Sequence, residues 1–222
     1  MTTSTDAVRR FLRDYPETTK NAEAEARIVA IDDEKWSEFA STRSVDVINK
    51  FLEDNPETSK REVANARIQE IYNDLDWVQE QDTVEDYERF VSRFPGHPQR
   101  EWIRKRIRKL IIDLEVERIA AGDHGEMPPV KPVSIGGAIA HVVVKNLTES
   151  TLTIRYSGPD SKKLIIPNGE TRSVQLSPGD YQVAASVTLA NVRNYYARET
   201  VVGGRYSSQF YVEQGFGGFR IR

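Results

Sequence analysis

The sequence predicts an α+β protein of two domains, an α-helical hairpin repeat followed by an antiparallel β domain, and three observations carry that reading. The octet FLRDYPET at positions 11–18 returns forty positions later as FLEDNPET. Composition changes near residue 122, from Glu, Arg, Ala and Ile to the Val, Tyr, Gly and Thr of strands and turns. Charge changes with it, from −7 through His124 to +4 beyond. A chain of 222 residues is long enough to give each half its own apolar core.

Shifting the first segment by 40 and the second by 39 aligns Val8, Ile48 and Tyr87, then Phe11, Phe51 and Phe90, then Pro16, Pro56 and Pro95. The register continues through Arg27, Arg67 and Arg106 and through Ile28, Ile68 and Ile107, so whole units repeat. Their spans are about 5–43, 44–82 and 83–121. In each, apolar residues at i, i+3 and i+4 form one helical stripe (Ile48, Phe51 and Leu52 in the second unit). The proline cannot continue that helix and disfavours helical geometry just before it, so Tyr15, Asn55 and Phe94 mark its end. Ser44 and Thr83 are expected N-caps of the second and third short helices, with Glu85 and Asp86 meeting the positive end of the dipole. Thr18, Ser59 and Gln99 lie near the starts of the longer second helices.

Single hairpins cannot hide their apolar faces, but three in series share a core and form a short solenoid. The phrase resembles the "Phe-Leu-x-x-Tyr-Pro" of divergent tetratricopeptide-type repeats in bacterial envelope assembly and cell-division proteins. The period here is 39 to 40 rather than 34, and the usual Leu-Gly and Ala positions are missing. The resemblance implies a peptide-binding or scaffolding module without catalytic residues.

Residues 122–137, with Pro128, Pro129 and Pro132 and glycines at both ends, are expected to be a semi-rigid spacer. Beyond them, in 138–222, about seven short alternating runs separated by turn residues predict a β-sandwich. Asn168-Gly169 and Gly203-Gly204, whose residues tolerate the positive φ of a type I′ turn, predict two hairpins. Leu152, Ile154 and Tyr156 share the packed face, while Thr153 and Arg155 face water. Leu176, Pro178, Gly179 and Tyr181 match the "Leu-x-Pro-Gly-x-Tyr" corner and thereby resemble fibronectin type III-like and other immunoglobulin-like domains. That resemblance implies a tyrosine hydroxyl bonded back to the loop backbone.

Chemistry is sparse. Without cysteine there is no thiol nucleophile, disulfide or thiolate metal site. His97, His124 and His141 are scattered, and Asp123, His124 and Glu126 sit in the expected spacer, where ligands are not preorganised, so no metal or other cofactor is expected. No nucleophile elbow, phosphate loop or dinucleotide fingerprint occurs, and no catalytic residue is assigned. The C-terminal GFGGFRIR has no helix after it to bind phosphate and is expected to cover a sheet edge. The sequon Asn146-Leu147-Thr148 carries no meaning without a signal peptide. Trp36, Trp77 and Trp102 are expected in the helical core.

The candidate contact residues are a basic stripe, Arg100, Arg104, Lys105 and Arg108, with Lys109 beside it, and the strand tyrosines Tyr195 and Tyr196 within an aromatic-rich C-terminal segment that includes Phe216 and Phe219. The function expected is a non-enzymatic adaptor or scaffold whose repeats bind a protein or peptide, acidic where it meets the stripe. Nucleic acid is not expected, because Glu85, Asp86, Glu88 and Glu101 surround those cations in a net-negative domain. Three rivals are a carbohydrate-binding module using Tyr195 and Tyr196, a hydrolase using Asp123 and Glu126, and an accessory subunit of a larger bacterial assembly. With no apolar signal core in MTTSTDAVRR and no run long enough to span a bilayer, the chain as given is expected in the cytoplasm, or outside it if a leader has been removed.

Overall fold

The computed structural model describes residues 5–128, 130–215 and 218–221. Among the described residues six helices precede ten strands: α1 (Thr5–Asp14), α2 (Asn21–Ser37), α3 (Val45–Asp54), α4 (Arg61–Gln81), α5 (Val84–Arg93) and α6 (Arg100–Ala121), then β1 (His124–Glu126) to β10 (Gly218–Ile221). The chain divides into two compact units, residues 1–104 and 105–222, so the division falls inside α6.

In the helical unit short and long helices alternate, and the octet builds one turn three times. Tyr15, Asn55 and Phe94 each donate a backbone N–H to the phenylalanine four residues back, at 2.8–3.0 Å. Thr18, Thr58 and His97 then bond back to those same three residues at 3.1–3.2 Å. The side chains of Thr18, Thr58 and His97 also accept from the backbone N–H two residues on, that of Lys20, Lys60 and Gln99, at 3.3, 3.2 and 3.1 Å. An imidazole thus substitutes for a hydroxyl in the third turn, and Ser59 and Gln99, which lie near the starts of α4 and α6 as expected, take part through their backbone N–H groups. Ser59 N–H in fact donates to Asp32 Oδ2 of α2 at 2.6 Å, joining consecutive pairs. The expected caps form at α3, where Ser44 Oγ accepts from Val47, and at α5, where Thr83 Oγ1 accepts from Asp86 N and donates to its carboxylate at 2.7 Å.

The apolar stripes are inside. Val45, Ile48 and Phe51 of α3 and Tyr87 and Phe90 of α5 are buried. Phe51 packs against Trp36 and Phe39, each at 5.1 Å, and Phe90 against Phe94 and His97. Phe11, in the first pair, is half-buried with its ring on Tyr15. Along the long helices Ile28, Ile68 and Ile107 are all half-buried, whereas at the next equivalent position Ile31 and Ile71 are buried and Leu110 is half-buried. Gly96 lies where a Cβ would overlap the Ser44 hydroxyl, so the third turn accepts only glycine without moving α3's cap.

In the second unit, β3 (Ala140–Leu147), β4 (Leu152–Ser157), β5 (Lys162–Ile166), β6 (Thr171–Leu176), β7 (Gly179–Val187), β8 (Asn194–Val201) and β9 (Gly204–Gly215) supply most of two sheets. One runs β1-β8-β7-β4-β5; the other runs β10-β9-β3-β6, with β2 (Pro132–Ile135) also on β9. Alternate residues of both, among them Val142, Val144, Ile154, Tyr181, Val183, Tyr206 and Phe210, meet in one core.

Four expectations are corrected here. The sheets are mixed, not antiparallel: β3 and β9 run parallel over eight residue pairs, and β1 is parallel to β8. Asn168-Gly169 and Gly203-Gly204 are not hairpins, because each passes the chain from one sheet to the other: β5 pairs β4 while β6 pairs β3, and β8 pairs β7 while β9 pairs β3. At the first, only Gly169 has positive φ, and Pro167, lacking an N–H, ends the β5 ladder. The adjacent hairpins are β4–β5 and β7–β8. The expected spacer contributes β1 and β2 to the two sheets, although Pro129 within it lies outside the described residues. Phe216 likewise lies outside them, while the strand after it, β10, pairs β9 as an edge.

The outer face of β4–β5 is not simply wetted. Asp113 Oδ1 of α6 accepts from Ser157 at 2.7 Å and Ser161 at 2.6 Å, Lys109 Nζ donates to the Gly158 carbonyl, and Glu115 pairs with Arg155 and Lys163. These bonds place the later part of α6 in the β unit. The pairing outweighs burial and holds the Glu115 carboxyl below its ordinary value, although desolvation is the largest single influence on it.

Two buried polar knots fix the loops. The Tyr181 hydroxyl donates to Ser177 O at 2.9 Å and accepts from Asp160 N, while Asp160 Oδ2 accepts from Ser177 N at 2.6 Å. The Ser177 N–H bond is the main reason the Asp160 carboxyl titrates below its usual value. Asn146, fully buried, donates to Ser150 O and Ile166 O at 2.7 Å and accepts from both Thr148 N and Thr148 Oγ1. Its sequon is therefore a structural Asn-x-Thr turn whose amide hydrogens are already used.

Candidate binding surfaces

Among the described residues, recesses in both units gather side chains able to recognise a ligand. In the helical unit, α4 and α5 leave a shallow hollow of about 110 Å³ with Trp77 and Phe90 on its wall, Phe94 and Val78 beside them, and Asp74, Asp86, Arg89 and Arg93 lining it. Trp77 is 52% exposed, against the expectation that it fills the core. It follows buried Leu75 by two residues and precedes buried Val78 by one, so helical periodicity turns it outward. Trp102 is 45% exposed, its ring edge-on to Tyr87, again outside the core. Only Trp36 is buried. The charges beside Trp77 are paired: Arg93 with Asp74 at 3.0 Å, and Arg89 with Asp86 at 2.9 Å and Glu85 at 2.8 Å.

Along α6, Arg104, Lys105 and Arg108 are exposed and Arg100 is half-buried with its Nε buried and unbonded. Glu85 and Asp86, expected to neutralise this stripe, are held by Arg89 on their own helix. Lys109 is engaged with Asp113, Ser161 and Gly158.

The tyrosines separate. Tyr195 is 3% exposed, its ring against Gly125, so it cannot stack on a sugar. Tyr196 is half-buried, donating to Gln182 at 2.9 Å, accepting from Arg198 and lying 5.2 Å from the His124 ring. Asp123 and Glu126 are exposed, and among the described residues no group of three or more His, Asp or Glu is placed to hold a metal ion.

A larger cavity, about 340 Å³, opens between the two sheets of the β unit. Met127, Val130, Val142, Val183 and Val201 give apolar walls, Tyr156, Tyr206 and Phe210 aromatic ones, and Glu199 lines it as well. Strand parity explains this carboxylate: Tyr195, Glu199 and Val201 share the inward face of β8. Burial raises its carboxyl above the ordinary 4.5, and the only opposing influence is a bond from the Val130 N–H. Burial, and then the Glu199 charge, push the Tyr156 phenol strongly upward. The sequence reading missed Glu199, yet a glutamate at the apolar parity of YYARETV was the available signal.

Among the described residues no helix is long and apolar enough to cross a membrane. No family model matches the chain, and no curated protein matches it either.

Proposed function

We propose that this chain is a non-enzymatic interaction adaptor. Its helical pairs form a short tetratricopeptide-like solenoid that holds a protein or peptide partner at the α4–α5 hollow. Its β unit is an immunoglobulin-like sandwich that docks or spaces. The threefold recurrence of one turn, bond for bond, supports the repeat reading, and the Tyr181 hydroxyl on Ser177 O supports the immunoglobulin-like one.

The observation that carries the proposal is Trp77, half-exposed beside Phe90 and Phe94 and ringed by paired charges. A large indole at the centre of a polar rim is the composition of a protein hot spot. The exposed cations of α6, Arg104 and Lys105, add long-range attraction for an acidic partner.

The test is quantitative affinity purification from the native cell with the full chain and with Trp77→Ala. A hot spot is worth about 2 kcal/mol or more, so a true partner is retained roughly 30-fold less by the variant. Partners held equally by both forms would remove the assignment. Charge reversal at Arg104 and Lys105 should slow association and flatten its salt dependence.

A further inference from the structure

We propose that the β unit binds a small organic cation, an alkyl- or aryl-ammonium, in the cavity between its sheets, with Glu199 as counter-ion and Tyr156, Tyr206 and Phe210 as its aromatic wall. This does not rest on the adaptor reading, which puts partner contact at the α4–α5 hollow of the helical unit and gives the β unit no small-molecule ligand.

The cavity falls within the range of about 300–1,000 Å³ typical of small-molecule sites, where apolar walls and few polar groups are the rule. Its polar content selects for charge. Glu199 stands at a core-facing position of β8, while the cations that line its recesses, Lys131 and Arg198, are themselves exposed to solvent. A neutral ligand would leave that carboxylate desolvated without a buried countercharge, and an anion would be repelled. An ammonium group satisfies it, and ring faces add cation–π attraction.

A simpler role for an inward charge is to keep a bare strand edge from pairing with another chain. β1 pairs that edge of β8 at residues 194–196, Met127 N–H donates to Tyr196 O at 3.1 Å, and beyond them Val130 N–H reaches the Glu199 carboxylate. Deterrence calls for a charge aimed at solvent along the edge, whereas Glu199 lines an aromatic cavity.

Titratable groups around Glu199 are Tyr156 of β4, Tyr206 of β9 and Lys131 in the inter-sheet cavity, Tyr181 of β7 opposite it, and Asp180 and Arg198 in an adjoining recess that Glu199 also lines. Lowering the pH through the raised titration of Glu199 removes the countercharge, so cation affinity falls there.

The experiment titrates the full chain with benzyltrimethylammonium and, separately, with its neutral isostere neopentylbenzene, following backbone amide shifts by NMR. We expect saturable shifts at Val130, Glu199 and Phe210 for the cation, and binding at least about tenfold weaker for the isostere and for Glu199→Gln. Ser208→Phe, which fills the cavity from its inward position on β9 while leaving the carboxylate in place, should abolish binding. Absence of saturable shifts, equal binding of the isostere, or full affinity in both variants would overturn the proposal.

Discussion

His97 offers the sharpest test of how the third turn is built. Its Nδ1 accepts from Gln99 N–H, so the ring is neutral with its proton on Nε2, and that Nε2 is buried without a hydrogen-bond partner. Tyr72 and Phe90 lie edge-on to it at 5.2 and 5.1 Å, and only 3% of the residue is exposed. Burial lowers its pKa from the ordinary 6.5, outweighing the attraction of Asp46. The sign follows. In the window from 6.5 down to the lower folded value, the unfolded chain binds a proton that the folded chain does not, so stability falls as pH falls. One proton sets a limiting slope of about 1.4 kcal/mol per pH unit. Protonation also removes the acceptor of the Gln99 bond. His97→Asn keeps an acceptor at the cap but cannot titrate, so the difference in stability between wild type and variant isolates this residue. Packing loss makes the variant less stable by about 1–3 kcal/mol at neutral pH, but the readout is the slope, not the offset. All three tryptophans lie in the helical half, so their fluorescence during urea unfolding reports that unit alone. We expect the difference to be constant above about pH 7.5 and to shrink by up to about 1.4 kcal/mol per unit below 6.5. A difference independent of pH would refute the neutral-cap geometry.

Other predictions concern the β unit. Asn146→Ala orphans Ile166 O and Thr148 N, although Thr148 Oγ1 still serves Ser150 O, and should cost about 3 kcal/mol by calorimetry; a neutral effect would contradict the buried knot. Tyr181→Phe removes the bonds to Ser177 O and Asp160 N and should cost about 1–2 kcal/mol while leaving the Asp160–Ser177 bond intact, which amide exchange at Ser177 checks. Asp113→Ala frees the Ser157 and Ser161 hydroxyls and should speed hydrogen exchange in the β4–β5 turn, with β7–β8 unchanged.

Local chemistry was readable from the residues, and strand partnership was not. The proline after Tyr15, Asn55 and Phe94 fixed where each short helix stops, because that effect depends only on neighbouring backbone sterics. The caps at Ser44 and Thr83 and the alternation of Leu152, Ile154 and Tyr156 were legible for the same reason. Asn168-Gly169 signals a reversal, but a reversal alone does not say whether the next strand joins the same sheet or the opposite one. The parallel pairing of β3 with β9 joins residues some sixty positions apart, beyond any local signal. At the candidate sites, type and spacing singled out Tyr195, while parity against buried Val201 shows that it faces inward; the same parity exposes Glu199 as the anomaly. Trp77 looked like core because tryptophan usually is, yet its helical phase relative to Leu75 and Val78 already pointed it out.

The central claim is that recognition occurs at the α4–α5 hollow. A photo-crosslinking amino acid placed at Arg89, which lines the hollow, and separately at Val29, exposed on α2, tests it directly in the full chain within the native cell. The account predicts a discrete crosslinked protein from position 89 that disappears when Trp77→Ala is added, with none from position 29. Crosslinks from 29 alone, or a product at 89 indifferent to Trp77, would contradict it.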